Sequence, residues 1–180
     1  MSRRTLILAV ALVLGTGLCF AANPDSFEIS CTVAVNYSVA ITTPSGGLSF
    51  SNVDVNTTYV NTSSAAIQNN GNVTADWTIK GTNLDEWTLG AAPGSNQVRL
   101  LGTMMNGPAG SGDFEVLTDT ITASEANMDG TNYTNGQTGD DVTSTSYREL
   151  WIRLDSPTDT DYDTEQKFRI DVRAYPSGTF

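Results

Sequence analysis

The chain has 180 residues and a formal net charge of −11, with 9 Lys and Arg against 20 Asp and Glu, no histidine and two cysteines. The lack of histidine excludes a His-based catalytic triad, a His general base and a His-ligated metal site. The acidic balance argues against nucleic acid or an anionic membrane as a partner, because both require a basic surface.

The first 22 residues have the pattern of a secretory signal peptide. A positive start at residues 2–4, an apolar run at 6–14 and small residues at 21 and 22 follow in that order. The apolar run is shorter than the about 20 residues that span a membrane, which disfavours the alternative of an uncleaved anchor. We therefore predict a signal peptide at 1–22, one mature domain at 23–180, and a secreted protein of the extracellular space, the cell surface or a periplasm.

Removal of the signal peptide also removes Arg3, Arg4 and Cys19. The mature chain then has seven basic and 20 acidic residues, so its net charge falls from −11 to −13. Cys31 is left as a single cysteine and cannot form an internal disulfide. Its place on the apolar face of a predicted strand favours a buried thiol. An intermolecular disulfide or an attachment point is the alternative.

Residues 27–41 carry an apolar side chain at every odd position. These side chains are Phe27, Ile29, Cys31, Val33, Val35, Tyr37, Val39 and Ile41. Strict alternation predicts a half-buried strand, either one long strand or two collinear strands that break near Asn36. Such a strand can add to the sheet of a neighbouring subunit, whereas pairing within its own domain is the simpler interpretation.

Further strands are predicted where β-branched or alternating apolar residues lie between turn residues. They fall at residues 57–67, 73–79, 86–89, 97–105 and 114–121. We expect turns at 43–47 and 69–72, the second joining a tight hairpin through Asn70-Gly71, and an interruption at Gly81. Residues 122–125 allow one helical turn at most. Residues 129–146 are expected to form the longest loop, a mobile surface element or a contact site.

Two strands are predicted near the C-terminus, at residues 147–154 and 167–175. In the first, Leu150, Ile152 and Leu154 share one face, and Trp151 lies on the other face with charged residues. We expect these strands to pair as a hairpin with register-setting charges on a solvated face. Short strands, frequent turn residues and the lack of amphipathic helices predict an all-β fold, a single immunoglobulin-like antiparallel β-sandwich after the signal peptide.

Residues 48–79 resemble the immunoglobulin-like modules of the ASH/hydin and choice-of-anchor D kind. The motif of those modules is Phe-x-x-Val-x-Val-Gly-x-Thr, followed by a strand that ends in Asn-x-Gly. The matching residues here are Phe50, Val53, Val55, Thr58, Asn70 and Gly71, with Asn56 at the position of the family glycine. The resemblance implies a seven-stranded sandwich of an extracellular or surface protein, without catalytic residues.

The densest acidic cluster contains four carboxylates at alternate positions, Asp159, Asp161, Asp163 and Glu165. Oxygen ligands at this spacing suit Ca²⁺, so these residues are a candidate calcium site, which Asp155 can join. The pair Asp140-Asp141 is a weaker candidate of the same kind. The alternative is an acidic turn that keeps this end of the protein soluble. No other cofactor is predicted.

Trp151 is a candidate ligand-binding residue, because aromatic rings displayed on a sandwich bind sugar rings and Trp151 is predicted to lie on the charged face of its strand. The favoured alternative is that its large ring is buried. Trp77 is expected in the core, since it alternates with Val73 and Ile79. We expect a non-enzymatic structural or adhesive protein of a surface, fibre or matrix, which contacts other subunits or further copies of itself through sheet faces or edges. The alternative is a carbohydrate-binding module that uses Ca²⁺.

Overall fold

A computed structural model of the chain describes residues 28–180. The chain divides into two units between Val33 and Ala34, so residues 28–33 belong to the first unit and residues 34–180 form the second. The predicted signal peptide lies outside the described residues.

Nearly all regular secondary structure of the second unit is β-strand. The strands are β1 (Val39–Thr43), β2 (Thr58–Val60), β3 (Ala65–Asn69), β4 (Ala75–Asn83), β5 (Thr88–Leu89), β6 (Gln97–Met104), β7 (Thr120–Ile121), β8 (Ala126–Asn127), β9 (Tyr147–Asp155) and β10 (Phe168–Pro176). One 3₁₀ turn covers Ser111–Asp113. The long strands β4, β9 and β10 lie where apolar and polar residues alternate in the sequence, and each turns an apolar row toward the core.

The strands form two sheets. The larger sheet has the order β1-β3-β9-β6-β5, with β2 also beside β9 and β7 also beside β6. The smaller sheet has the order β10-β4-β8. All pairs are antiparallel except β5–β6, whose two residues pair in parallel. The fold is therefore all-β and sandwich-like, as the sequence predicts.

The main core contains apolar residues of both sheets. Trp77 and Ile79 of β4 are buried with Ile67 of β3, Leu100 of β6 and Ile152 of β9. A second, smaller core contains Leu101, Phe114 and Trp151, with Val60, Met105 and Ala109 packed against it. By alternation, Leu101 and Trp151 lie on the opposite face of the larger sheet from Leu100 and Ile152. The larger sheet is thus locally buried on both faces.

Both predicted hairpins are wrong. The chain leaves β3 in the larger sheet and enters β4 in the smaller one, so residues 69–72 connect two sheets. Likewise β9 pairs with β2, β3 and β6, whereas all nine residues of β10 pair with β4. Neighbouring strands in the sequence do not pair here because each packs its apolar face against the other sheet.

Single strands also differ in length from those predicted. The strand expected at 57–67 is divided into β2 and β3, and Gly81 does not interrupt β4. At 114–121 only Thr120–Ile121 forms a strand. There the buried carboxylate of Asp119 accepts hydrogen bonds from the backbone N–H groups of Glu115 (2.7 Å) and Tyr133 (2.9 Å), which hold a turn.

The loop predicted as a mobile surface element is packed against β4. Its Tyr133 and Val142 are buried, and Val142 exchanges two backbone hydrogen bonds with Ala75 at 2.9 and 3.0 Å. The N–H of Trp77 donates to the carbonyl of Gly139 at 2.8 Å. This loop, together with β8, therefore occupies one side of β4, and β10 occupies the other.

We predict that Gly139→Ala destabilises the protein by about 2 kcal/mol, because overpacking of a well-packed site costs about 1–3 kcal/mol. A Cβ at Gly139 would lie 2.7 Å from the Cβ of Met128 and 2.8 Å from its carbonyl oxygen, and neither atom belongs to a flexible chain end. Urea unfolding followed by circular dichroism measures the loss. The control is Gly130→Ala in the same loop, where a Cβ meets nothing within 4 Å. Equal stabilities of the two variants would contradict the packed loop.

Candidate functional site

The most enclosed group of charged side chains joins three strands of the larger sheet. Asp155 is directly opposite Arg99 of β6 and Thr58 of β2, and Arg153 lies two residues earlier on the same strand and face. Nε of Arg99 and Nε of Arg153 each donate to the Asp155 carboxylate at 2.8 Å, and the hydroxyl of Thr58 donates at 2.9 Å. The register of the sheet thus places one buried carboxylate between two arginines.

The electrostatics of this cluster favour the charged form of Asp155. Burial alone raises the pKa of the carboxyl, but the hydrogen bonds from Arg99, Arg153 and Thr58 together outweigh it and leave the pKa below its usual value. A cleft of about 330 Å³ opens beside the cluster, lined also by Asn56, Pro93 and Thr158. The sequence analysis missed this cluster and placed Arg153 on a solvated face. The Arg153-x-Asp155 spacing, which puts both side chains on one strand face, was the available signal.

The predicted calcium ligands are not brought together as a cluster. Asp159, Asp161, Asp163 and Glu165 are all exposed. Asp159 accepts from the hydroxyl of Ser95, Asp161 accepts from Nδ2 of Asn96 at 2.9 Å, and Glu165 pairs with Lys167 at 3.2 Å. Among residues 28–180, the carboxylates close enough to share a cation are instead those of Asp76, Asp140 and Asp141, within 4.8 Å of one another.

These three carboxylates, which include the weaker candidate pair Asp140-Asp141, fasten loops around the start of β4. The oxygens of the buried Asp76 accept the N–H groups of Asp141 (2.9 Å) and Thr179 (3.0 Å). Burial raises the pKa of Asp140, and the hydrogen bond and negative charge of Asp76 raise it further. Three carboxylates reach the six to eight oxygens that Ca²⁺ takes only if all six of their oxygens bind, and both oxygens of Asp76 already accept backbone N–H groups.

The structure does not display Trp151 for ligand binding. Its side chain is 5% exposed and packs with Leu101 and Phe114 in the smaller core. The ring is buried, as the favoured interpretation had it, and the segment around Phe114 covers this second face of β9. The sugar-binding interpretation therefore loses the ring on which it was based.

The strand predicted at 27–41 begins only at Val39, and residues 28–38 form no strand. In residues 34–38, the N–H of Asn36 donates to Oδ1 of Asn72 and Nδ2 of Asn72 donates to the carbonyl of Ala34, both at 2.8 Å. Cys31 is exposed, so the predicted buried thiol is also wrong. We call residues 28–38 the N-terminal segment.

The N-terminal segment exposes several of the apolar side chains that the alternation predicted to be buried. The exposed fractions are 81% for Ile29, 72% for Val33, 55% for Val35 and 40% for Tyr37. When a segment adds to the sheet of a partner as a strand, its alternate side chains enter pockets of that partner. Exposed apolar side chains at alternate positions are typical of such a segment.

No family model and no curated protein matches the chain. Within residues 28–180 there is also no helix whose length and apolar character would carry it through a lipid bilayer.

We predict that Asp155→Asn lowers the free energy of unfolding by about 3 kcal/mol, because loss of one partner leaves buried charges uncompensated. The folded-state pKa of Asp155 is depressed, so its stabilisation is present above the unfolded pKa of about 3.9 and disappears as the pH falls through the lower folded pKa. Urea unfolding at pH 7 and at decreasing pH measures both effects.

The matched control for this prediction is Asp171→Asn on β10. Its ion pair with Arg169, 3.0 Å long, is more exposed, and such pairs contribute about 0–1 kcal/mol. Equal losses in the two variants, or a difference between Asp155→Asn and the parent chain that does not shrink in acid, would contradict the assigned role of Asp155.

Proposed function

We propose that this protein is a secreted, non-enzymatic structural subunit of a surface, fibre or matrix assembly. It contacts other protein subunits by adding its N-terminal segment to their sheets. The observation that carries the proposal is the exposure of Ile29, Val33, Val35 and Tyr37 at alternate positions of a segment that forms no strand. Main-chain hydrogen bonds supply affinity in this kind of contact, and pockets for alternate side chains supply specificity.

The magnitudes are consistent with association through this segment. Complete burial of a fully exposed apolar side chain contributes about 1.5–3 kcal/mol, and these four side chains are 40–81% exposed, so their burial contributes about 4–7 kcal/mol. Association costs about 4–15 kcal/mol in lost translational and rotational freedom. The apolar contacts are therefore no larger than that cost over most of its range, and the main-chain hydrogen bonds of strand addition supply the net affinity.

A non-enzymatic role is supported by how the charged residues are used. Asp155 is bonded to Arg99 and Arg153, and Asp76 accepts two backbone N–H groups. The carboxylates of Asp155 and Asp76 therefore both have structural partners. Secretion is proposed from the order of charge, apolar run and small residues in the first 22 residues.

An immunoglobulin-like sandwich of the ASH/hydin or choice-of-anchor D kind is also part of the proposal. It is supported by two largely antiparallel sheets and by Phe50 and Val53 of the motif, which pack against the core. The proposal does not require calcium, and it does not include sugar binding because Trp151 is buried.

We predict that Ile29→Asp combined with Val33→Asp abolishes association of the purified protein, since two charges would enter an apolar strand contact. Size-exclusion chromatography with light scattering gives the mass, and negative-stain electron microscopy shows whether filaments form. The matched control is Leu84→Asp with Leu117→Asp, two leucines of the second unit that are 52% and 90% exposed. Association that survives the first pair of changes, or a protein that is monomeric throughout, would overturn the proposed function.

A further inference from the structure

Strand β10 presents a long open edge. All nine of its residues pair with β4 in one unbroken register, and within residues 34–180 no other strand pairs with it. In an antiparallel pair, alternate residues direct their N–H and C=O groups away from the partner, so β10 offers a row of free groups. The other edge strands are shorter. β1 has five residues and an irregular register, and β5 and β8 have two residues each.

The core beneath this edge is incompletely covered. The inward-facing side chains of β10 are all only half-buried, although they pack against the main core, and they are Phe168, Ile170, Val172 and Ala174. On the adjacent strand β4, Trp77 and Ile79 are 0% and 1% exposed. Cα atoms of β1 come within 8 Å of β10, and Ile41 of β1 is 51% exposed. A further strand beside β10 would cover these side chains.

The first part of the N-terminal segment, residues 28–33, has the chemistry of that missing strand. Ile29, Cys31 and Val33 would face the core, and Ser30 and Thr32 would face solvent. Ile29 and Val33 are 81% and 72% exposed, so both side chains are free to be buried in such a contact. The one charged residue of the segment is Glu28. On the outward face of β10, Arg169 pairs with Asp171 at 3.0 Å and Arg173 pairs with Glu125 at 3.3 Å, so no excess charge opposes the contact.

We propose that the open edge of β10 is the acceptor site for residues 28–33 of a second copy of this chain. This inference rests on the proposed function and names its partner. Donor and acceptor are different surfaces of the same molecule, so each bound copy still has a free donor and a free acceptor. Such a heterologous contact adds copies head to tail and forms an open filament unless it closes into a ring.

Cysteine cross-linking tests this pairing with the native Cys31 as one partner. In a chain with Cys19→Ser, single changes Ile170→Cys, Val172→Cys or Ala174→Cys place a thiol at each inward position, because the register of the added strand selects one of them. A mild oxidant then joins the thiols that lie opposite each other. We expect a ladder of covalent dimers and larger species on non-reducing gels for at least one variant. Circular dichroism confirms that the fold is retained.

The controls are the Cys19→Ser parent chain and Leu117→Cys, at a position that is 90% exposed. The parent has one thiol, so it yields dimers at most. A ladder that Leu117→Cys produces equally, or a cross-link within one chain, overturns the inference. If assembly persists and depends on Ile29 and Val33 but no β10 variant cross-links, the acceptor lies elsewhere and the proposed function stands. If no assembly forms in any chain, both fail.

Discussion

Burial of one apolar face of each sheet against the other is the interaction on which this fold depends. It decides the strand partners, because β4 and β9 must each bury an apolar row, and each does so against the opposite sheet. For this reason the chain changes sheet between β3 and β4 and again between β9 and β10. It also explains why the arginine and carboxylate side chains around Asp155 lie on the other face of the larger sheet, where they satisfy one another.

The two sides of β4 are covered differently. On one side, β8 and the loop that contains Gly139 and Val142 supply backbone partners and buried side chains. On the other side, β10 pairs with β4 along its whole length. Within residues 34–180 no further strand lies beside β10 in the sheet. The apolar row of β10 is therefore half-buried where that of β4 is fully buried. The incomplete side of the core is the natural place for an external strand.

The sequence predicted single strands better than it predicted their partners. Alternation along β9 and β10 reports which side chains face inward, so those strands were predicted close to their observed bounds. Pairing depends on contacts between residues far apart in the chain, and the local turn signal at Asn70-Gly71 therefore suggested a hairpin that does not exist. What covers Trp151 could not be predicted for the same reason, because the cover over its face comes from the segment around Phe114. The Asp155 cluster depends on cross-strand register, which a single strand does not contain.

The N-terminal segment and the open edge of β10 also differ in charge from the rest of this acidic chain. The segment is apolar at alternate positions and almost uncharged, and three of the nine basic residues, Lys167, Arg169 and Arg173, lie on or next to β10. A chain with a net charge of −11 repels further copies of itself. At physiological ionic strength such repulsion is screened beyond about 8 Å, so the charges near the contact decide the encounter. At the β10 edge Arg169 and Arg173 are each matched by a carboxylate, Asp171 and Glu125, so this edge adds little to the repulsion between two copies.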